Sequence, residues 1–466
     1  MTNPNLKTTQ KLSREVYPEY DALWHLITMG VLDEDHCPLV ASKSERPTRV
    51  AIIDTSVAVD HPNLIAAINH DLAFDLFSSR LGAFPYLPPE GTLGVLNLNV
   101  DTKVAEGLPA AALLLTELND RLSHGSPTLP SGVQACVSPE FSNHGTAIAG
   151  LVGARPAVVD IADEHPSSKQ KEFPLPYSGV DPTCEIIPIS TNFDPNPESL
   201  ILAFLYAELI EADVILLPRS IPDPARTVPE LSSREINGVP LLALVAPASA
   251  TEIEVQQWAE LAQLILNISM KRPIVCAAGN ANEDNGIYPA NLASEHNGII
   301  SVGAVNAKGH RSGYSSGHNI TVMALSNDSE VFDREEVRRD EQNSTYQNDG
   351  VPKKNNNAKY SSFDVISTDV PGRYGYSSSP YFSDEPDEGM REFGSYFCRF
   401  GGTSASSALV AGFIALGKSS TSLNNCADGP EAKSWLLSQC IEITDDDGEI
   451  FQFPSWASGV SFPEKA

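Results

Sequence analysis

Short apolar runs recur along this chain, each closed by a polar or small residue. "VAII" stops at Asp54, and "CEIIPIS", "ADVILLP", "PIVCAAGN" and "NGIISVGAV" read the same way. Short continuous apolar runs bounded by turn signals are the pattern of strands buried on both faces. Between them the pattern turns helical: "TKVAEGLPAAALLLTELNDRL", about Leu200 to Glu211, about Glu252 to Met270, Ala408 to Leu416, and "PEAKSWLLSQC". A shorter helix is expected in "YDALWHLITMGVL", and "IEITDDDGEIFQF" predicts a hairpin turning at Asp447-Gly448. Strands alternating with helices predict an α/β fold, with a mostly parallel central sheet flanked by helices on both faces. No internal repeat interrupts this order.

The polar stretches mark the boundaries. Residues 1–47 read as an N-terminal extension, 48–455 as the main domain and 456–466 as a tail. Long insertions fall at about 70–140 and at 326–397, the latter carrying the charge runs "FDREEVRRDEQN" and "SDEPDEGMRE". The first holds Pro- and Gly-rich loops around the helical pattern "TKVAEGLPAAALLLTELNDRL", and the second reads as long surface loops.

Composition narrows the function classes. The chain has 466 residues, 41% of them apolar, enough for a substantial core. Acidic residues number 60 against 31 basic, a formal charge of −29, which would repel a phosphate backbone, so no nucleic-acid partner is expected. No apolar run is long enough to span a bilayer, so no membrane partner is expected either. The first residues lack the basic-then-apolar pattern of a secretion signal. The seven cysteines show no Cys-x-x-Cys or Cys/His ligand spacing, which predicts free buried thiols in a reducing compartment and a cytoplasmic protein. The acidic cluster before Gly448 does not make a calcium loop, because Ile443 and Pro454 stand where its first ligand and last glutamate belong.

Three positions carry candidate chemistry. Asp54 ends a predicted buried strand, His144 precedes Gly-Thr at the front of the small-residue helix expected in "NHGTAIAGLVG", and Ser404 follows Gly-Thr in "RFGGTSASSALVAGFIALG". Each alone has a plain structural reading: a turn-forming carboxylate, a core histidine, a helix cap. Together, in the order Asp, His, Ser, they point to a hydrolytic triad, since that order is one of the few such sites use.

The segments "VAIIDTSVAVDHPNL", "NHGTAIAGLVG", "PIVCAAGN" and "FGGTSASSALVAGFIAL" together resemble the subtilisin-like serine proteases, the subtilases. Weaker matches, "YSGVDPTCEIIPIS", "GIISVGAV" and "VISTDVPG", follow in the family's order, so the resemblance covers most of 48–455. It implies a three-layer α/β fold and an endopeptidase acting on protein or peptide substrates through an acyl-enzyme. Ser404 would be the nucleophile, His144 the general base and Asp54 the residue that orients the imidazole. Asn280 would donate its side-chain amide to the oxyanion, with the Ser404 backbone N–H beside it, while Thr403, Ser406 and Ser407 would serve as caps and packing.

The chain also departs from the family. Ser56 stands where Gly is usual, and Ala408 where Pro is usual. Asn63 in "HPNL" replaces the aspartate of the family's strong calcium site, so calcium lacks its usual ligands and no cofactor is expected. The short N-terminal extension fits an intracellular-type member. The strand "ADVILLP" ends in Pro218, Arg219, Ser220, Ile221 and Pro222, where the family has an open Ser-Leu-Gly-type substrate edge. Proline has no N–H for a ladder, and Arg219 and Ile221 add charge and bulk, so substrate binding there is expected to be selective. The alternative class is a non-catalytic relative that binds peptides or a regulatory partner.

Overall fold

In the computed structural model eight strands form one sheet. They are β1 (Arg49–Asp54), β2 (Phe74–Asp75), β3 (Arg80–Leu81), β4 (Glu185–Ser190), β5 (Val214–Leu217), β6 (Ile274–Ala277), β7 (Ile299–Val305) and β8 (Val322–Leu325). Their spatial order is β8-β7-β6-β5-β1-β4-β2-β3. Every pair is parallel except β2 with β3. The structure describes residues 21–76, 80–81, 102–124, 139–160, 172–191, 195–221, 252–328, 363–370 and 396–464 without 446–447, together with a few short segments between them.

Alternation of burial explains the layers. Val50 and Ile52 of β1 belong to one hydrophobic cluster, Ala51 and Ile53 to a second, and all four are buried. Val214 and Leu216 of β5 join the first cluster, Ile215 and Leu217 the second. Strands with apolar side chains on both faces must be covered on both. Helices α2 (Pro109–His124), α4 (Pro197–Leu209) and α5 (Glu252–Ser269), numbered after a short α1 (Trp24–Thr28), pack together over the second cluster. Helices α3 (Pro139–Gly153) and α6 (Gly402–Ser419) cover the first, with α7 (Gly429–Ser438) packed against β7. The expected three-layer α/β fold is the one observed.

Element ends differ from the sequence reading in informative ways. Helix α3 starts at Pro139, so His144 lies within it rather than at its front. Helix α6 starts at Gly402, earlier than its apolar run, and every one of its residues is buried. Helix α1 is only five residues long. The chain turns away at Gly30, whose φ is +68° and against which Ala457 packs. Of the 70–140 stretch, the expected helix forms as α2 and packs on the second cluster. Most of 326–397 lies outside the described residues, but β9 (Val365–Thr368) pairs antiparallel with β10 (Phe397–Phe400). The hairpin forms from β11 (Cys440–Thr444) and β12 (Ile450–Pro454), with Gly448 at φ +81° in its turn. Asp447 lies outside the described residues.

Both flanks dock on the same core. Trp24 donates its indole N–H to the Asp364 carbonyl at 3.0 Å, and the backbone N–H groups of Lys43 and Ser44 donate to the Ser419 carbonyl. On the other side the ring of Trp456 lies 5.1 Å from that of Phe413. The six described cysteines are all free, with Cys184, Cys276 and Cys398 buried but Cys37 and Cys426 exposed. Among the described residues no helix is long and apolar enough to cross a membrane.

Candidate active site

The chain runs from β1 to β2–β4 on one side and to β5–β8 on the other, so the sheet order reverses at β1. Binding sites of open α/β sheets form at the carboxyl ends of strands at such a reversal. Asp54 is the last residue of β1, and it continues the parity of Val50 and Ile52. Its side chain is therefore delivered to the layer holding α3 and α6.

There it meets His144. Asp54 Oδ2 lies 2.7 Å from His144 Nδ1, with the carboxylate fully buried and the imidazole 13% exposed. A carboxylate can only accept, so Nδ1 carries the proton and donates, which leaves Nε2 as the basic nitrogen. Asp54 Oδ1 accepts the backbone N–H of Thr55 at 2.7 Å. The residues after His144 fix this pairing. A Cβ on Gly145 would stand 2.5 Å from the Ser56 carbonyl oxygen and 2.6 Å from that of Thr55, so only glycine lets α3 approach the loop after β1. The Gly145 N–H donates to Thr55 Oγ1 at 3.1 Å, and Thr146 Oγ1 accepts the N–H of Ala58 at 2.8 Å. "Asp-Thr" and "His-Gly-Thr" are thus two halves of one clamp.

Ser404 lies in the first turn of α6, which packs on both α3 and β1. Phe400, just before that turn, meets the His144 ring edge-on with centroids 5.5 Å apart. Gly402 has a φ of +75°, and its N–H donates to the Tyr314 hydroxyl at 3.0 Å. A side chain on Gly401 would overlap Asn327. The neighbouring hydroxyls are not caps, because the N-cap is Gly401 and no side chain caps the helix. They tie the helix to its surroundings instead. Ser406 Oγ reaches the carbonyls of Ala324 and Leu325 at 3.0 and 3.2 Å, and Ser407 Oγ donates to the Ser404 carbonyl at 2.8 Å.

Thr403 has a role the sequence reading missed. Its N–H and its hydroxyl both donate to Asn280 Oδ1 at 2.9 Å, while its hydroxyl accepts the Gly279 N–H at 3.0 Å. Two donors on the oxygen end assign the amide orientation and turn the NH₂ end of Asn280 away from Thr403. The structure thus brings together Asp54 with His144, and Asn280 with the helix start that carries Ser404.

The expected substrate edge divides. Pro218 is buried and Ser220 exposed, whereas Arg219 turns inward, placing Nη1 3.9 Å from Asp54 Oδ1 and donating through Nη2 to Thr191 Oγ1 at 2.9 Å. Pro222 lies outside the described residues.

Asn63, fully buried, donates Nδ2 to the backbone carbonyls of Arg155 at 2.8 Å and Leu175 at 2.9 Å, with that of Tyr177 at 3.3 Å. Converging carbonyls would suit a cation, but here an amide donor fills their centre, so the residues do not fit calcium at this position. Next to it, His61 accepts the Asn63 N–H on Nδ1 at 3.1 Å and donates from Nε2 to the Tyr396 carbonyl at 2.9 Å. Burial pushes the His61 imidazole down to about 4. Among the described residues no group of three or more His, Cys, Asp or Glu is placed to hold a metal ion.

The model of the subtilase family matches residues 45–438, and the chain belongs to that family of proteases. No curated protein matches it. Solved structures match at low identity. A cold-adapted subtilisin-like serine proteinase is 13% identical with a TM-score of 0.44, the match covering 94% of this chain and 100% of that one. The nisin leader peptidase NisP from Lactococcus lactis is 14% identical with a TM-score of 0.49, covering 94% and 92%. A serine protease of Aeromonas sobria is 14% identical with a TM-score of 0.43, covering 89% of this chain and 56% of its own.

Proposed function

We propose that this chain is a serine endopeptidase with Ser404 as nucleophile, His144 as general base and Asp54 as the orienting carboxylate. The observation that carries the reading is the 2.7 Å bond between Asp54 and His144, which commits Nε2 to base chemistry beside the first turn of the Ser404 helix. His144 Nε2 takes the Ser404 hydroxyl proton as Oγ adds to the substrate carbonyl carbon. The resulting oxyanion accepts from the Ser404 backbone N–H and the Asn280 NH₂, helped by the positive end of α6. Nε2 then returns the proton to the leaving amine. Water, activated by the same nitrogen, hydrolyses the acyl-enzyme and restores Ser404.

The segment after β5 supports a selective enzyme. Pro218 contributes no N–H to a substrate ladder, and Ser220 is the exposed residue of this edge. In this reading Pro218, Arg219 and Ser220 shape the substrate cleft, and the enzyme processes a few proteins rather than digesting many. Six free cysteines support a reducing, intracellular location.

A fluorophosphonate probe tests the reading, because it labels only an activated serine. The wild type is expected to label at Ser404 and to cleave peptides. Ser404→Ala should abolish both, and His144→Ala should cost on the order of 10⁶ in turnover, a magnitude carried over from subtilisin. An unlabelled, folded wild type would establish the non-catalytic alternative.

A further inference from the structure

Asp54 ends the central strand of three, and each neighbour supplies one residue at its tip. Thr191 follows β4, and its N–H donates to the Asp54 carbonyl at 2.7 Å. Arg219 follows β5 and carries its guanidinium back across the end of β1. One nitrogen binds Thr191 Oγ1 at 2.9 Å and the other lies 3.9 Å from Asp54 Oδ1. The Arg219 side chain is only 10% exposed and that of Asp54 not at all.

This geometry is costly to maintain. A long flexible side chain is ordered, and a positive charge is taken largely out of water. Buried charges persist when paired, and the Asp54 carboxylate lies within ion-pair reach of the guanidinium. The planar fork suits the task, since two nitrogens on one rigid group can bind a hydroxyl and face a carboxylate together. With Oδ2 on His144 and Oδ1 between the Thr55 N–H and the guanidinium, both oxygens of Asp54 are held.

We propose that Arg219 is a positioning residue: it straps the tips of β4 and β5 together over β1 and fixes the Asp54 carboxylate toward His144. The proposal rests on the reading of Asp54 as the orienting group. It gives Arg219 a task distinct from direct substrate contact, because its side chain is only 10% exposed and is bound to Thr191, whereas Ser220 beside it is exposed.

The test is a double-mutant cycle on peptide hydrolysis. Arg219→Gln is expected to lower kcat about ten-fold while KM stays within about two-fold, and Arg219→Lys to recover part of the loss. In an Asp54→Asn background the same Arg219→Gln change should alter kcat by less than about two-fold, because no carboxylate remains to be held. Equal losses in both backgrounds, or a loss confined to KM, would overturn the proposal. A second measurement needs no turnover. In the Ser404→Ala protein, the low-field proton resonance of the His144 Nδ1–H should shift or broaden on Arg219→Gln and return toward its position with Arg219→Lys. An unchanged resonance would overturn the strap even if the enzyme were inactive, whereas failure of the wild type to label with fluorophosphonate bears on the proposed function alone.

Discussion

Thr403 and Asn280 are joined twice, through the backbone N–H and the hydroxyl of the threonine, both at 2.9 Å to the same amide oxygen. The residue next to the proposed nucleophile thereby aims the proposed oxyanion donor. Thr403→Val keeps the shape but removes the hydroxyl, and the buried Gly279 N–H loses its acceptor. A loss of about 1–3 kcal/mol in unfolding free energy is expected from denaturant titration. Turnover should fall about ten-fold, less than the 10²–10³ expected of Asn280→Ala, a magnitude inherited from subtilisin. Equal activity losses in the two variants would mean that Thr403 acts otherwise than by aiming the amide.

Asn63 predicts the response to metal. Asn63→Asp would turn a carboxylate toward the carbonyls of Arg155 and Leu175 with no counterion, and should destabilise by about 3–5 kcal/mol. Chelator, in contrast, should leave the wild-type melting temperature within about 2 °C, since a tight ion contributes several kcal/mol through linkage. Scanning calorimetry with and without EDTA checks both. A fall of about 10 °C in the wild type would reveal an ion held elsewhere.

Acid sensitivity follows from two buried imidazoles. Burial lowers His25 to about 3 and His61 to about 4, against 6.5 in an unfolded chain. Below pH 6.5 the unfolded state binds protons that the folded state refuses, so stability is full above that pH and drains away as pH falls. Between pH 6.5 and 5 the two together should remove roughly 3 kcal/mol. His25→Leu should remove about half of that pH dependence while sparing the site. Urea midpoints at pH 7 and 5 give the comparison, and an identical acid loss in the variant would contradict it.

Selectivity is checked by digestion. Unfolded casein should be cut slowly and at few positions, and a peptide library should return a dominant motif. Rapid conversion of casein to small fragments without a motif would show an open edge despite Pro218.

The candidate site was legible in the sequence where the determinants of its geometry are local. "HGT" and "GGTS" encode their own geometry: Gly145 admits a neighbouring loop, Gly401 admits Asn327, and Gly402 adopts a positive φ. The sheet was legible for a similar reason, since strands buried on both faces lack polar positions. What escaped depends on which strands are neighbours. Arg219 read as a cleft residue because nothing in "LLPRSIP" reveals that β5 lies beside β1, or that Thr191 waits on the far side. The start of α3 escaped because the small-residue helical pattern begins only at "HGTAIAG", whereas the helix runs through it from Pro139.

Helix α6, buried along its whole length, has a consequence for synthesis. Asp54 emerges from the ribosome long before Ser404, and the strands between them must pair before α6 has a floor to rest on. A nascent or prematurely terminated chain that stops before α6 carries an aspartate and a histidine but no reactive alcohol. On the proposed assignment, hydrolytic capacity arises only once α6 has been made and seated, and a copy that stops short of it is chemically harmless to its neighbours.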